Sequence, residues 1–200
     1  MCGFAGKVNT NHIEINRNIE LRMQSALKSL YPRGPDDQGI YTDEHSYLVH
    51  ARLSIIDTSG NGSQPMNKYN KTIVYNGEIY NYKDLKIILK KNGYKFFSNS
   101  DTEVLLAAWD MWGEEALNYI NGMFAFAIWD KLKKELTLVR DPFGKKPLLY
   151  SINNKEITFA SDLNSLEKII DNNQINPLAV ESLFKLRFIY DPLTIYENVY

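Results

Sequence analysis

Met1-Cys2-Gly3-Phe4-Ala5-Gly6 begins the chain, and Cys2 is its single cysteine. Removal of Met1 would place the thiol of Cys2 on the same residue as an α-amine. The reference pKa is about 7.7 to 8.0 for an α-amine and about 8.5 for cysteine, so the amine can serve as the base for the thiol near neutral pH. Taken alone, a cysteine here is more often a small buried residue that opens a strand. The segments that follow decide between these two interpretations.

The composition predicts one substantial hydrophobic core in a chain of 200 residues, 44% of them hydrophobic. A net charge of -1 and the lack of a basic block argue against nucleic-acid binding. One cysteine forms neither an intramolecular disulfide nor a zinc cluster, which fits a reducing compartment. No apolar run approaches membrane-spanning length and no signal segment is evident, so we expect a cytoplasmic protein that is not membrane-bound.

The first third of the chain predicts a strand, a helix, a loop and a second strand. Residues 2–9 have β character, and a helical stripe of apolar residues from Ile19 stops before Pro32. Glycine and proline predict a loop over residues 33–39, which an ordinary turn would also explain. Residues 46–56 predict a strand followed by a loop. Arg52 lies between apolar neighbours there, and its guanidinium suits either a substrate carboxylate or a structural salt bridge.

Asn76-Gly77 follows the predicted strand 72–75. This dipeptide is the strongest short signal for a hairpin turn, and that interpretation needs no chemistry. The next residues instead pass quickly into a helical stripe that starts at Leu85. A strand that turns into a helix through Asn-Gly would present a side-chain amide beside an unpaired backbone N–H, and such a pair can hold an oxyanion.

Ser100-Asp101-Thr102-Glu103 predicts a helix start with a capping box formed by Ser100 and Glu103. Asp101 is left without a role beyond a favourable interaction with the helix dipole. Further along, the pattern predicts a hairpin over 122–140, a type I turn at 141–144, and strands at 147–150 and 156–160. Helices are predicted at about 161–170 and 177–186.

Six motifs in this order resemble the class II glutamine amidotransferase domain, and more narrowly the N-terminal half of glutamine-hydrolysing asparagine synthetases. They are Cys2-Gly3, Arg33-Gly34-Pro35-Asp36, His50 to Asp57, Tyr75 to Asn81, Ser100 to Glu103 and Arg140 to Gly144. The resemblance is strong over residues 2–165 and weak beyond them. It implies an α+β fold, the N-terminal-nucleophile hydrolase fold, which is a four-layer αββα sandwich of two antiparallel sheets.

The resemblance also implies roles for individual residues. Cys2 would attack the side-chain amide of glutamine, with its own α-amine as the base. The Asn76 amide and the Gly77 N–H would stabilise the oxyanion. Arg52 would bind the α-carboxylate, and Glu78 and Asp101 the α-ammonium. Backbone contacts to glutamine are expected from Leu53, Ser54, Ile55 and Ile56.

A domain that only releases ammonia would waste glutamine. The resemblance therefore implies residues 2–165 as the glutaminase domain, and residues 166–200 as a linker and the start of a C-terminal synthetase domain. Ammonia would reach that domain through a channel. No metal or cofactor is expected for the glutaminase domain, whereas the synthetase domain would use ATP and magnesium. The partners expected are glutamine, the synthetase domain and a second copy of the chain in a homodimer.

Alternatives remain at this point. The acceptor of the ammonia is most simply aspartate, but a carboxylate of a surface-sugar or antibiotic pathway would suit the same domain. If Met1 stays in place, the chain has no self-contained base, and a non-catalytic regulatory module with the same fold fits. A single-cysteine redox sensor would leave Arg52, Asn76 and Asp101 as coincidences.

Overall fold

Two antiparallel sheets form the middle of the molecule. The computed structural model describes residues 1–13, 15–171 and 173–200. The strands are β1 (Gly3–Asn9), β2 (Asp37–Thr42), β3 (Ser46–Arg52), β4 (Met66–Lys68), β5 (Lys71–Ile79), β6 (Gly122–Asp130), β7 (Glu135–Arg140), β8 (Leu149–Asn153) and β9 (Glu156–Ala160). The helices are α1 (Arg17–Leu30), α2 (Tyr82–Lys91), α3 (Asp101–Trp112), α4 (Leu163–Leu166) and α5 (Pro177–Leu186). Short 3₁₀ segments occur at Tyr31–Arg33, Gly60–Gly62 and Gly113–Asn118.

The strand order is β2-β3-β1-β9-β8 in the first sheet and β4-β5-β6-β7 in the second. In the first sheet Gly3 pairs with Ala51, so the same register continued by one residue sets Cys2 opposite Arg52. In the second sheet β5 pairs with β6 along its whole length, from Lys71 with Asp130 to Ile79 with Gly122. These registers bring the start of β1, the end of β3 and the second half of β5 to one end of the sandwich.

Side chains alternate along each strand, so each sheet has an inner and an outer apolar face. The inner faces meet in one cluster that includes Phe4, Leu48, Val74, Trp129 and Phe159. The outer face of the first sheet packs against α1 and α4, and that of the second packs against α2 and α3. The predicted four-layer αββα sandwich is confirmed.

The predicted loop over residues 33–39 is wrong in its second half. Asp37–Thr42 forms strand β2, whose backbone pairs with β3 as the edge of the first sheet. Its exposure alternates residue by residue, as expected for an edge strand that packs on one side. Gly39 suggested a turn, but a glycine is needed there because the backbone of Gln64 packs closely against it. A Cβ on residue 39 would lie 1.9 Å from the carbonyl oxygen of Gln64.

The hairpin turn considered for Asn76-Gly77 is also wrong, as is the expectation that the strand ends there. Both residues lie inside β5, which continues to Ile79. Gly77 is required by close packing across the sheet, since a Cβ would lie 2.3 Å from the carbonyl oxygen of Met123. A local dipeptide rule cannot report a contact made by a strand some fifty residues away in sequence.

The capping box predicted at α3 is wrong in its reciprocal half. The Ser100 hydroxyl accepts from the N–H of Thr102, but the Glu103 carboxylate does not turn back to Ser100. It is fully buried and accepts from Ser98 N–H and Oγ, from Phe97 N–H and from the Lys68 ammonium. Glu103 therefore ties α3 to the segment before it and to β4.

Helix α4 covers only part of the predicted 161–170, whereas α5 matches its predicted range. The C-terminal residues return to the first sheet, where Tyr200 and Tyr150 exchange backbone hydrogen bonds of 2.9 and 2.8 Å. No described helix has the length and apolar character needed to cross a membrane.

Candidate active site

Cys2 lies at the entrance of a cavity of about 150 Å³ between the ends of the two sheets. A cavity of this volume can hold one small molecule. The lining includes all the residues expected to bind glutamine except Ser54. It is formed by Met1, Cys2, Arg52, Leu53, Ile55, Ile56, Asp57, Gly62, Gln64, Tyr75, Asn76, Gly77, Glu78, Ser100, Asp101, Thr102, Met123 and Lys146.

The Cys2 thiol is held by the backbone of Leu53. The Leu53 N–H donates to Sγ at 3.3 Å, and Sγ lies 3.6 Å from the Leu53 carbonyl oxygen. Burial raises the pKa of the Cys2 thiol above its ordinary value, although the Leu53 N–H, the N-terminal ammonium and the Arg52 guanidinium act in the lowering direction. A thiol in this environment needs a base before it can act as a nucleophile.

The backbone of Cys2 is fixed by the loop that begins with Arg33. The Arg33 side chain donates from Nε to the carbonyl oxygen of Cys2 at 3.2 Å. In the same loop Asp36 accepts the N–H of Ser54 at 2.8 Å. The loop 33–36 thus joins Cys2 to the segment 53–56, which is a role that its turn-like composition does not reveal.

Asn76 places a side-chain amide on the inner face of β5. The residue is 2% exposed, and its Nδ2 atom has no hydrogen-bond partner within the described residues. Buried polar groups are hydrogen-bonded in the great majority of cases, and an unsatisfied one calls for an explanation. An acceptor that arrives with a substrate in the cavity would provide it.

The backbone of β5 adds a second donor. Tyr80 N–H donates to Asn121 across the β5–β6 ladder, so by alternation the N–H groups of Tyr75, Gly77 and Ile79 point away from β6. The first is capped by the Gln64 side-chain oxygen at 2.7 Å and the third by Asp101 Oδ2 at 3.0 Å. The Gly77 N–H between them has no acceptor in the described part of the chain, and Gly77 lines the cavity.

Asp101 is 5% exposed and lies at the N-terminus of α3. Its Oδ2 also accepts from the Tyr75 hydroxyl at 2.8 Å. Burial raises the pKa of the Asp101 carboxyl above its usual value, and the hydrogen bonds from Ile79 and Tyr75 act against this shift. Glu78 lines the cavity two residues beyond Asn76 on the same face of β5. Two carboxylates therefore border the cavity close to the amide donors.

Arg52 is 7% exposed, and its guanidinium binds the loop that follows it. It donates from Nη1 to the Ser59 carbonyl oxygen at 2.9 Å and from Nη2 to that of Asp57. These contacts use two of its five N–H groups. Asp57 in turn accepts from Ser59 and from the Asn99 N–H, and those hydrogen bonds lower the pKa of its carboxyl. Arg52 thus shapes the loop 53–62 as well as bordering the cavity.

Residues 53–56 lie beside Cys2 but differ in their placement. Leu53, Ile55 and Ile56 line the cavity, and Ile55 is 71% exposed. Ser54 is not in the lining, and its N–H is directed to Asp36. Sequence reasoning missed Gln64, Tyr75 and Lys146. Of these, only Tyr75 had a sequence signal, because it directly precedes Asn76 in β5. Within the described residues no group of three or more His, Cys, Asp or Glu side chains is placed to hold a metal ion.

Comparison with known proteins identifies a family and several relatives. A family model described as "Glutamine amidotransferase domain" matches residues 1–200. Asparagine synthetase [glutamine-hydrolyzing] 1 of Bacillus subtilis is 40% identical over all of this chain and 32% of its own length. Putative asparagine synthetase [glutamine-hydrolyzing] 2 of Methanocaldococcus jannaschii is 35% identical over all of this chain and 42% of its own length. The chain thus spans less than half of these relatives.

The fold itself is shared with a solved enzyme. Glutamine phosphoribosylpyrophosphate amidotransferase from B. subtilis, complexed with ADP and GMP, superposes with a TM-score of 0.69. The superposition covers 88% of this chain and 46% of that one, at 22% sequence identity. At that identity the likeness concerns the fold. With the family model matched along its full length, the chain belongs to the glutamine amidotransferase domain family.

Proposed function

We propose that this chain hydrolyses glutamine to glutamate and ammonia through a thioester on Cys2. The observation that carries the proposal is a pair of unsatisfied donors in the cavity that Cys2 also lines. Tyr75 and Ile79 have their outward N–H groups capped, whereas the Gly77 N–H and Asn76 Nδ2 are left for an acceptor in the cavity. Two donors converging beside a nucleophile form the arrangement that stabilises a tetrahedral oxyanion.

The reaction follows from these positions. With Met1 removed, the α-amine of Cys2 takes the thiol proton, and Sγ attacks the side-chain amide carbon of glutamine. The carbonyl oxygen becomes an oxyanion between Asn76 Nδ2 and the Gly77 N–H. The carbon–nitrogen bond then breaks, and the nitrogen leaves as ammonia with the proton held by the amine. Water attacks the thioester, which releases glutamate and restores the thiol.

Charge around the cavity suits the other end of glutamine. The Arg52 guanidinium has N–H groups beyond the two bound to carbonyl oxygens, and it is the group proposed to bind the α-carboxylate. Glu78 and Asp101 are proposed to bind the α-ammonium, which would also favour the ionised form of Asp101 against its burial. Backbone groups of residues 53–56 are proposed to close over the ligand, with Leu53 nearest the reacting sulfur.

The relatives support a proposal for the larger protein. Since two of them are named glutamine-hydrolyzing asparagine synthetases, we assign the ammonia to aspartate, in a C-terminal synthetase domain that uses ATP and magnesium. The boundary near residue 165, the ammonia channel, a homodimer and the cytoplasmic location stay predictions. Another relative, Amidase chry2 from Gibberella zeae, is 33% identical over 92% of this chain and is not named as an asparagine synthetase. A carboxylate other than aspartate therefore stays the alternative acceptor.

The test is glutamate release from glutamine by the wild-type chain and by Cys2→Ala, with Met1 removal verified by intact mass. Cys2→Ala should release no glutamate above background while its thermal unfolding midpoint stays that of the wild type. Activity that survives in Cys2→Ala would rule out the nucleophile. Absence of activity in a folded, Met1-free wild-type chain would favour the non-catalytic module.

A further inference from the structure

The Arg140 to Gly144 motif has no part in the reaction described above, yet it is a carefully bonded turn. The Asp141 carboxylate accepts backbone N–H groups from Phe124, Phe143, Lys145 and Lys146 at 3.1 to 3.3 Å. Burial alone would raise the pKa of this carboxyl, but these hydrogen bonds hold it below its usual value. The turn is thereby fixed to β6.

Arg140 binds the same turn from its other side. Its Nε donates to the Lys146 carbonyl oxygen at 3.2 Å and its Nη2 to that of Gly144 at 3.1 Å. Gly144 has φ +60°, a conformation that favours glycine. The side chains of Arg140 and Asp141 thus fix the backbone of Lys146. These side-chain hydrogen bonds hold the turn 141–146, which contains no helix or strand.

Lys146 reaches from this turn to the cavity. The residue is 6% exposed and lines the cavity with Cys2. Its Nζ atom contacts the Met1 sulfur at 3.0 Å, and a thioether is only a weak acceptor. No carboxylate in the described part of the chain forms an ion pair with Lys146. Buried ammonium groups are normally paired, so this cation stands out from the other lysines of the core, such as Lys7 with Glu156.

Most of the other charges around the cavity have partners in the structure, and Glu78 is the exception within the described residues. Asp57 accepts from Ser59 and Asn99, and Asp101 accepts from Tyr75 and Ile79. Under the proposed function Glu78 and Asp101 also meet the substrate ammonium, and Arg52 meets its carboxylate. The charged and titratable groups of the lining are Cys2, Arg52, Asp57, Tyr75, Glu78, Asp101 and Lys146.

Removal of Met1 takes away the sulfur that Lys146 contacts. It leaves a new α-amine on Cys2, the next residue in the chain. A positive charge disfavours protonation of a neighbouring amine and favours a neighbouring thiolate. The thiol and the amine of Cys2 titrate as a coupled pair, so both effects lower the pH at which the pair loses its first proton. The state with one shared proton is the one that can attack an amide.

We propose that Lys146 is a positioning residue for the nucleophile: its buried ammonium makes the thiol–amine pair of Cys2 release its first proton near neutral pH. The proposal rests on the proposed function for its biological purpose, but its physical content concerns only the ionisation of Cys2. It can therefore be measured without glutamine.

The experiment is the rate of Cys2 alkylation by iodoacetamide as a function of pH. Cys2 is the only cysteine, and the neutral reagent avoids steering by charge. The samples are Met1-free chains, processed by methionine aminopeptidase if necessary: wild type, Lys146→Met, Lys146→Arg and the control Lys145→Met. Lys145 is the exposed neighbour of Lys146 on the same turn, so its substitution changes the net charge equally.

Lys146→Met should move the alkylation midpoint to higher pH and slow alkylation about tenfold below the midpoint. Lys146→Arg and Lys145→Met should keep the wild-type midpoint. If Lys146→Met does not fold, Lys146→Gln carries the same expectation. A wild-type midpoint in the folded neutral variant overturns the proposal, even if the chain releases glutamate. A shifted midpoint in a chain that releases no glutamate supports it and rejects the proposed function instead.

Discussion

Asn76→Ala should separate catalysis from stability. Asn76 is 2% exposed, and its Nδ2 atom has no partner within the described residues. Leaving a buried donor unsatisfied costs roughly 1–3 kcal/mol. The substitution removes this penalty along with a few packing contacts, so we expect the free energy of unfolding to stay within about 1 kcal/mol of the wild type or to rise.

The same substitution removes one of two donors to the oxyanion. Loss of such a donor lowers kcat by about 10²- to 10³-fold, or roughly 2.7–4 kcal/mol of transition-state stabilisation. Because the interaction develops with the negative charge, KM for glutamine should change little. A substitution that lowers activity without lowering stability indicates that the original side chain is kept for function.

Steady-state glutamate release and urea unfolding should be measured together on Met1-free protein. Asn153→Ala, at an exposed asparagine in strand β8, is the matched control and should change neither quantity. The reasoning fails if Asn76→Ala keeps kcat within about threefold of the wild type. It also fails if the variant loses more than about 2 kcal/mol of stability, since Asn76 would then be a structural residue.

Three further predictions concern buried ionisable side chains. Arg52→Lys should raise KM for glutamine about tenfold, because a point charge cannot reproduce the fork that binds a carboxylate and the loop carbonyl oxygens; an unchanged KM in steady-state kinetics would remove Arg52 from the substrate site. Burial lowers the pKa of His50 to about 4, so the unfolded chain binds its proton first and stability falls by about 3 kcal/mol as pH decreases from 6.5 to 4. His50→Gln, which keeps a donor for the Tyr75 carbonyl oxygen, should remove that dependence in urea titrations. Glu103→Gln should destabilise by about 3 kcal/mol near neutral pH; because hydrogen bonds from Lys68 and Ser98 outweigh burial and lower the pKa of Glu103, this difference from the wild type should shrink as pH falls below about 4.5, and a constant difference would contradict the assignment.

Individual strands and helices could be predicted from the sequence because alternation and helical periodicity are local, whereas the four-layer arrangement was implied by the resemblance to the amidotransferase domain. Strand β6, for example, is apolar on both faces, as expected of a strand between two layers, and its residues divide between the outer and the inner cluster. Strand β2 was not predicted because its composition is that of a loop. It begins with Asp37, contains Gly39 and is exposed at every second residue. Only its backbone pairing with β3 identifies this segment as a strand.

One cavity is lined by the residues proposed for the site, except Ser54, but the sequence does not give their geometry. Asn76 and Gly77 were selected as an amide and an N–H, whereas the reason that they are available is the alternation along an uninterrupted strand capped at Tyr75 and Ile79. Gln64 and Lys146 could not be found from local pattern. Each reaches the cavity from a loop distant in sequence, and each is defined by a contact, with Tyr75 N–H and with Met1 respectively.

The most direct measurement of the central claim is the intact mass of the Met1-free chain, quenched in acid during turnover with glutamine and digested to locate any adduct. We expect a glutamyl adduct on the peptide that contains Cys2, absent without glutamine, labile to hydroxylamine as a thioester is, and more abundant at early times than after glutamine is exhausted. Steady release of glutamate with no adduct at any time, or with an adduct on another residue, would contradict the account.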